Sequence, residues 1–337
     1  MAQAGHDRRL SLLKLLASMA VVVVHTSMWR VSQGDVHSLG WWGANVADAA
    51  GRFGSAMFAM VAGAVLLARP AEEAPWRFVG QRMQRLLPAV VVWSVFYFVW
   101  REWMWGGLTL ASMSKDVVLG SPWYHLWFMY MMLGMYVVLP LLRYVVLGVG
   151  ASGGWLYVLA VSALLTWGAS IAQTMQHLSH ASFIGLVPFF AVYFWAGYYF
   201  RQRQMKVGRL SLALAGLLAV AGMALGVACS YPQMKDWAFV LFYSNRSPLA
   251  MLLTFALFLA VMRVPAARIP AWVAPLGSVT LGVYAVHPFW IDMLGSAGWS
   301  LALAGDAWPL VAVVVYALSM ATSLLLFRLP GLRRLVS

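Results

Sequence analysis

Ten predominantly apolar stretches alternate with short polar ones along the chain, at about 10–29, 53–68, 86–104, 123–142, 154–172, 182–200, 210–229, 247–262, 276–296 and 308–327. Most approach the roughly 20 residues that a helix needs to cross a hydrocarbon core; the second is short. Helices are the expected element, because a single chain in lipid must satisfy its backbone polar groups internally. The connections leave no room for a soluble domain, so residues 1–337 are expected to form one all-α polytopic membrane domain of about ten transmembrane helices.

Polar side chains inside such stretches are costly and therefore informative. His25 ends the apolar run Leu15–Val24, eleven residues after Lys14. At about 100° per residue, eleven steps fall about 20° from a whole number of turns, so Lys14 and His25 share one helix face about 16 Å apart. Ser11 and Ser18 lie close to the same line. In the ninth stretch, Thr280, Tyr284 and His287 follow an i, i+4, i+7 spacing and form a second polar face directed into a bundle. Asp292 lies near the outer end of that helix, where partial exposure and a chemical role are both open.

Composition agrees with this pattern: the chain is 63% hydrophobic and 10% charged, with a mean hydropathy of +0.78, which excludes an ordinary soluble globule. Its 23 Lys and Arg then orient it, because cations are retained on the cytoplasmic side. With the N-terminus inside, only Arg30, Arg52, Arg101, Lys115, Lys235 and Arg246 fall outside, which leaves 17 within; an even helix number places both termini in the cytoplasm. The net charge of +13 follows from this topology and from attraction to anionic membrane lipids, with no need for nucleic acid. The first helix is followed by no small-residue cleavage site, so it is expected to be retained.

The single cysteine, Cys229, excludes an internal disulfide and a thiolate cluster and is expected to be a small packing residue. His177 and His180 are three apart but have no third His, Cys or carboxylate near them in sequence, so no metal site is expected. No phosphate-loop motif occurs. His6, His37, His177 and His180 are assigned to tails or loops.

Three connections stand out. Residues 30–52 form the longest outer loop, with Trp41, Trp42, Asn45 and Asp48 available either to an outer acceptor site or as interfacial anchors. Residues 102–122 lead into the aromatic segment Ser121–Tyr130 at the start of the fourth helix, suited to a membrane belt or to stacking on a sugar face. An inner loop carries Arg77, Arg82 and Arg85; Arg82 and Arg85, three apart, make a cationic fork at the same membrane face as Lys14.

These residues resemble the acyltransferase family 3 of integral membrane acyltransferases, and most closely its enterobacterial common antigen type O-acetyltransferase branch. A basic residue, ten intervening residues and a histidine in the first helix match Lys14 and His25; an Arg-x-x-Arg motif matches Arg82 and Arg85. Tyr124-His125-Leu126-Trp127-Phe128 and Leu281–His287 resemble two further signatures, and Trp29, Asn45, Arg52 and Phe58-x-Met60-x-x-Gly63 are additional points of similarity. The family commonly has an aspartate three residues before an arginine in the first helix, where this chain has Ser11 and Lys14; its usual Pro and Ser of the second helix are Ala56 and Ala62 here.

The resemblance implies transfer of an acyl group, usually acetyl, from cytoplasmic acyl-coenzyme A to a hydroxyl of a cell-surface glycan or lipid-linked sugar, in a bacterial inner membrane. On that reading Lys14, Arg82 and Arg85 bind the donor phosphates, and His25 is the general base or an acyl-carrying nucleophile. His125 and His287 are further catalytic candidates, and Asn45, Trp127, Tyr130 and Tyr284 are candidate substrate contacts. A transporter or flippase of a glycan or lipid intermediate is the alternative; against it, the chain shows neither two similar halves nor matched interrupted helices.

Overall fold

In the computed structural model, which describes residues 7–33, 35–68, 74–150, 154–175, 183–203, 205–232, 234–299 and 305–337, each of the ten apolar stretches contains a helix and no strand occurs among the described residues. The principal helices are α1 (Arg8–Gln33), α2 (Leu39–Gly51), α3 (Gly54–Leu66), α4 (Pro75–Trp105), α5 (Leu110–Leu119), α6 (Trp127–Val149) and α7 (Trp155–Met175). There follow α8 (Phe183–Arg203), α9 (Arg209–Ser230), α10 (Lys235–Ala238), α11 (Pro248–Met262), α12 (Val273–Ser278), α13 (Thr280–Leu294) and α14 (Trp308–Arg328). Among the described residues, eight helical segments are long and apolar enough to cross a membrane. The protein is thus an all-α polytopic membrane protein. Two of the ten expected spans fall outside that set: α8, and α13, which has only 15 residues.

Three connections differ from the sequence expectation. The expected outer loop at 30–52 is mostly helix: α1 runs on to Gln33, and Ser38 caps α2 by accepting from the Trp41 N–H at 3.1 Å. Trp41, Ala44, Asn45, Asp48 and Ala49 are buried on α2, as is Gly51 at its end, and the first five follow a helical spacing that its glycines and tryptophans conceal. Second, Arg77, Arg82 and Arg85 lie on α4, not in a loop, because Pro75 starts that helix well before its apolar portion. Third, α5 occupies part of 102–122, closed by a Thr109/Ser112 capping box and by Gly120 at φ 74°. Arg101 ties it down, donating to Asp116 at 2.6 Å and to the Pro122 carbonyl at 2.9 Å.

The main core joins α1, α3, α4, α6, α8 and α13. The crossing of α3 and α8 is backbone on backbone: a Cβ at Gly63 would lie 2.3 Å from Phe194 Cα, and one at Gly197 would lie 1.9 Å from Met60 O. Arg143 and Arg201 close the same crossing by donating to the carbonyls of Leu66 (2.9 Å) and Ala64 (3.0 Å) at the end of α3. Cys229 is exposed, contrary to the packing role expected of it. It lies two residues from buried Val227, on the opposite side of α9.

Candidate active site

Lys14, Arg82 and Arg85 line one cavity of about 600 Å³ between α1, α3, α4 and α6. The helix face anticipated for α1 thus meets the arginine fork of α4. Arg82 is buried, its guanidinium 5.2 Å from the Phe78 ring. Two further charged groups, neither among the expected donor contacts, share this cavity: Asp7 and Arg201. Asp7 precedes Lys14 by seven residues, about 20° short of two whole turns, so helical periodicity alone places it on the same face. It accepts two hydrogen bonds from the Arg9 guanidinium (2.9 and 3.0 Å) and lies 4.0 Å from Arg201. Partial burial on its own raises the Asp7 carboxyl; the hydrogen bonds and charge of Arg9, with the charge of Arg201, outweigh it and hold the group below its ordinary 3.8. A carboxylate is therefore present in the same cavity as Lys14 although position 11 is serine. Ser11 faces Gly277, where a Cβ would lie 2.7 Å from Ser11 Cβ.

Towards the other end of α1, His25, His125, Trp127 and Tyr284 line a second cavity of about 140 Å³, together with Arg52 and Asn245. His287 stacks on His25, with ring centroids 5.1 Å apart at 27°, and meets His125 edge-on at 5.3 Å. Tyr124 packs against His25 at 5.0 Å. The three histidines, from α1, the segment before α6, and α13, are thus neighbours. Among the described residues no group of His, Cys, Asp and Glu has metal-holding geometry.

Backbone chemistry sets the tautomers of two of these rings. Pro288 has no N–H, so the carbonyl of Tyr284, four residues earlier, loses its intrahelical donor. His287 Nδ1 takes that place, donating to Tyr284 O at 2.7 Å, and Nε2, buried without a hydrogen-bond partner, carries the lone pair. His125 is the mirror case: Nε2 donates to Ala285 O at 3.3 Å and Nδ1 is the bare nitrogen. Tyr284 donates its hydroxyl to His125 O, and Tyr97 donates to Ala285 O at 2.7 Å, so α13 and the segment before α6 are fastened together at this point.

Phe58, Phe128 and Tyr284 stand between the two cavities. Phe58 and Phe128 line the cationic cavity and Tyr284 the histidine cavity, and their centroids are 5.7 to 6.5 Å apart. The three rings pack together where the two cavities approach each other.

Other candidates lie elsewhere. Asn45 is buried in packing, donating to Ala224 O at 2.9 Å and accepting from Tyr243. Tyr130 is buried, with its hydroxyl 2.9 Å from Ser94 Oγ. Ser18 donates to Leu15 O and sits beside Tyr316. Asp292 accepts from Trp100 Nε1 at 3.1 Å. His37 is exposed in a turn, and His6, His177, His180 and Arg69 lie outside the described residues.

A family model described as an acyltransferase domain, the acyltransferase 3 family, matches residues 7–328. Neither a curated protein nor a solved structure gives a significant match.

Proposed function

Since the chain belongs to the acyltransferase 3 family, we propose that it is of the enterobacterial common antigen type O-acetyltransferase branch and transfers an acetyl group from cytoplasmic acyl-coenzyme A to a hydroxyl of a cell-surface glycan or lipid-linked sugar, in a bacterial inner membrane. The membrane acyltransferase assignment follows from the family; the donor, the acceptor and the membrane are our reading. The observation that carries it is the pairing of a cationic cavity with a histidine cavity along one face of α1.

Coenzyme A presents phosphates at one end and a thioester at the other. Lys14, Arg82 and Arg85 supply charge-assisted donors for the phosphates. The roughly 16 Å of helix between Lys14 and His25 matches the reach of the pantetheine arm. His25, which lines the small cavity, takes the proton of the acceptor hydroxyl, a role worth about 10² to 10⁴ in rate. His287 and His125, each with a bare nitrogen nearby, hold that proton or orient the acceptor. A cavity of about 140 Å³ is small beside ordinary ligand pockets of roughly 300 to 1,000 Å³, which favours a two-carbon acyl group. The same small volume counts against passage of a whole glycan, the transporter reading.

Mass spectrometry of surface glycans and lipids from cells with and without the protein tests this function; the expected result is a shift of one acetyl unit, and its absence from every fraction overturns the reading. With purified protein, Arg82→Ala or Arg85→Ala is expected to weaken acetyl-coenzyme A binding by about 1.5 to 3 kcal/mol, the scale of a charged hydrogen bond. His25→Ala is expected to abolish transfer while the protein stays monodisperse and still binds donor. Transfer by His25→Ala at near wild-type rate would remove His25 from the mechanism.

A further inference from the structure

The break between α2 and α3 is two residues long, and its first residue, Arg52, enters the histidine cavity. Glycines flank the break because it presses on α1. A Cβ at Gly51 would lie 2.7 Å from Val24 Cγ2 and 3.0 Å from Ala20 O, and one at Gly54 would lie 2.8 Å from Val21 Cγ2 and 3.1 Å from Ala17 O. Val21 and Val24 themselves line the cavity, so this close approach sets the Arg52 side chain beside the turn of α1 that carries His25.

The guanidinium is held on two sides. Asp48, one turn earlier on α2 and wholly buried, pairs with its Nε and Nη2, and Ser27 donates to the other Asp48 oxygen at 3.4 Å. The Tyr243 ring lies under it, 4.3 Å from Cζ, and the Tyr243 hydroxyl is anchored by donating to Asn45. Among the described residues Nη1 makes no hydrogen bond. The cavity therefore meets a cation with a fixed plane and one donor nitrogen to spare. Asp48 neutralises most of its charge, so the pair attracts a resting anion weakly and acts chiefly on negative charge that develops within contact distance.

We infer that Arg52 is the oxyanion-stabilising residue of the transfer step, with Asp48, Tyr243 and Asn45 as its positioning residues; this rests on the acyl-transfer reading. The acceptor hydroxyl oxygen attacks the thioester carbonyl carbon, a C–O bond forms, and the O–H proton passes to the His25 imidazole. The carbonyl π pair moves onto oxygen, and that anion accepts from Arg52 Nη1. Collapse restores C=O and breaks the C–S bond; the coenzyme A thiolate leaves and is protonated by the imidazolium. The inference also gives Asn45 and Asp48 a task that neither performs by touching substrate.

The test uses the purified full chain in detergent, acetyl-coenzyme A as donor and N-acetylglucosamine as acceptor probe, with thiol release and donor affinity measured separately. Arg52→Gln is expected to lower kcat by about 10² to 10³, the effect of removing one oxyanion donor, with donor affinity unchanged. Arg52→Lys should fall between it and wild type. Methylguanidinium should restore part of the rate to Arg52→Ala, which a purely structural arginine would not permit. The inference is overturned if Arg52→Gln keeps kcat within about threefold of wild type, if kcat and donor affinity fall together, or if methylguanidinium rescues nothing in a monodisperse variant. Absence of thiol release by the wild-type protein overturns the acyl-transfer reading itself, and this inference with it.

Discussion

At the scale of single residues, the chemistry of the site depends on what a neighbouring backbone group lacks. Pro288 withholds an N–H, Tyr284 O is released, and His287 is fixed with its lone pair on Nε2. Pro288→Ala returns an N–H that competes for that carbonyl and loosens the ring. Turnover is expected to fall about tenfold, part of the general-base contribution, with donor affinity unchanged; equal kcat in the variant and wild type would separate the tautomer from catalysis. Asp7 supports a second prediction, on pH. Its folded pKa lies below 3.8, so its pairing with Arg9 and Arg201 stabilises the fold above the unfolded value and is lost as pH falls through the lowered one. Asp7→Asn protein should melt below wild type at neutral pH, and the gap should close below about pH 4. A gap that persists at lower pH would mean that the substitution acts through packing. Asp7 was open to discovery from its spacing to Lys14; the tautomer of His287 was not, since it needs the contact to Tyr284 O as well as the His-Pro pair.

At the scale of elements, apolar runs gave most membrane helices to within a few residues, because in lipid the helix is the sole economical answer for an isolated segment. What escaped were helices whose polar residues face inward. The α2 helix carries Asn45 and Asp48 into the bundle, where they interrupt its apolar run while its buried positions keep a helical period. The amino-terminal part of α4 was hidden similarly by arginines that face a cavity. Close crossings were equally silent, because a glycine in an apolar run does not announce which backbone it meets. Gly197→Ala is expected to destabilise the protein by about 1 to 3 kcal/mol or more, since the new methyl meets Met60 O at 1.9 Å and backbone cannot step aside as a side chain would. Thermal unfolding in detergent measures this, and an unchanged midpoint would show that α3 and α8 separate without cost.

At the scale of the whole molecule, function depends on which cavity faces which compartment. The histidine cavity and the cationic cavity lie towards opposite ends of α1, so on the proposed function orientation decides where donor enters and where the acceptor is modified. Charge bias places Lys14, Arg82, Arg85, Arg201 and Arg209 inside. On that orientation the α9 helix is expected to run from Arg209 in the cytoplasm to Ser230 outside, and its 22 residues, rising about 33 Å, suffice to cross the hydrocarbon core. Cys229, exposed one residue before the end of α9 and the only cysteine in the chain, becomes a native reporter of that arrangement. In intact cells a membrane-impermeant maleimide is expected to label Cys229, or Ser230→Cys one residue nearer the end of the helix. A probe at Lys206→Cys should react only after the membrane is permeabilised. Labelling of Lys206→Cys in intact cells, with Cys229 and Ser230→Cys protected until permeabilisation, would invert the bundle; the cationic cavity would then open away from cytoplasmic coenzyme A, and the proposed direction of acyl transfer would fall with it.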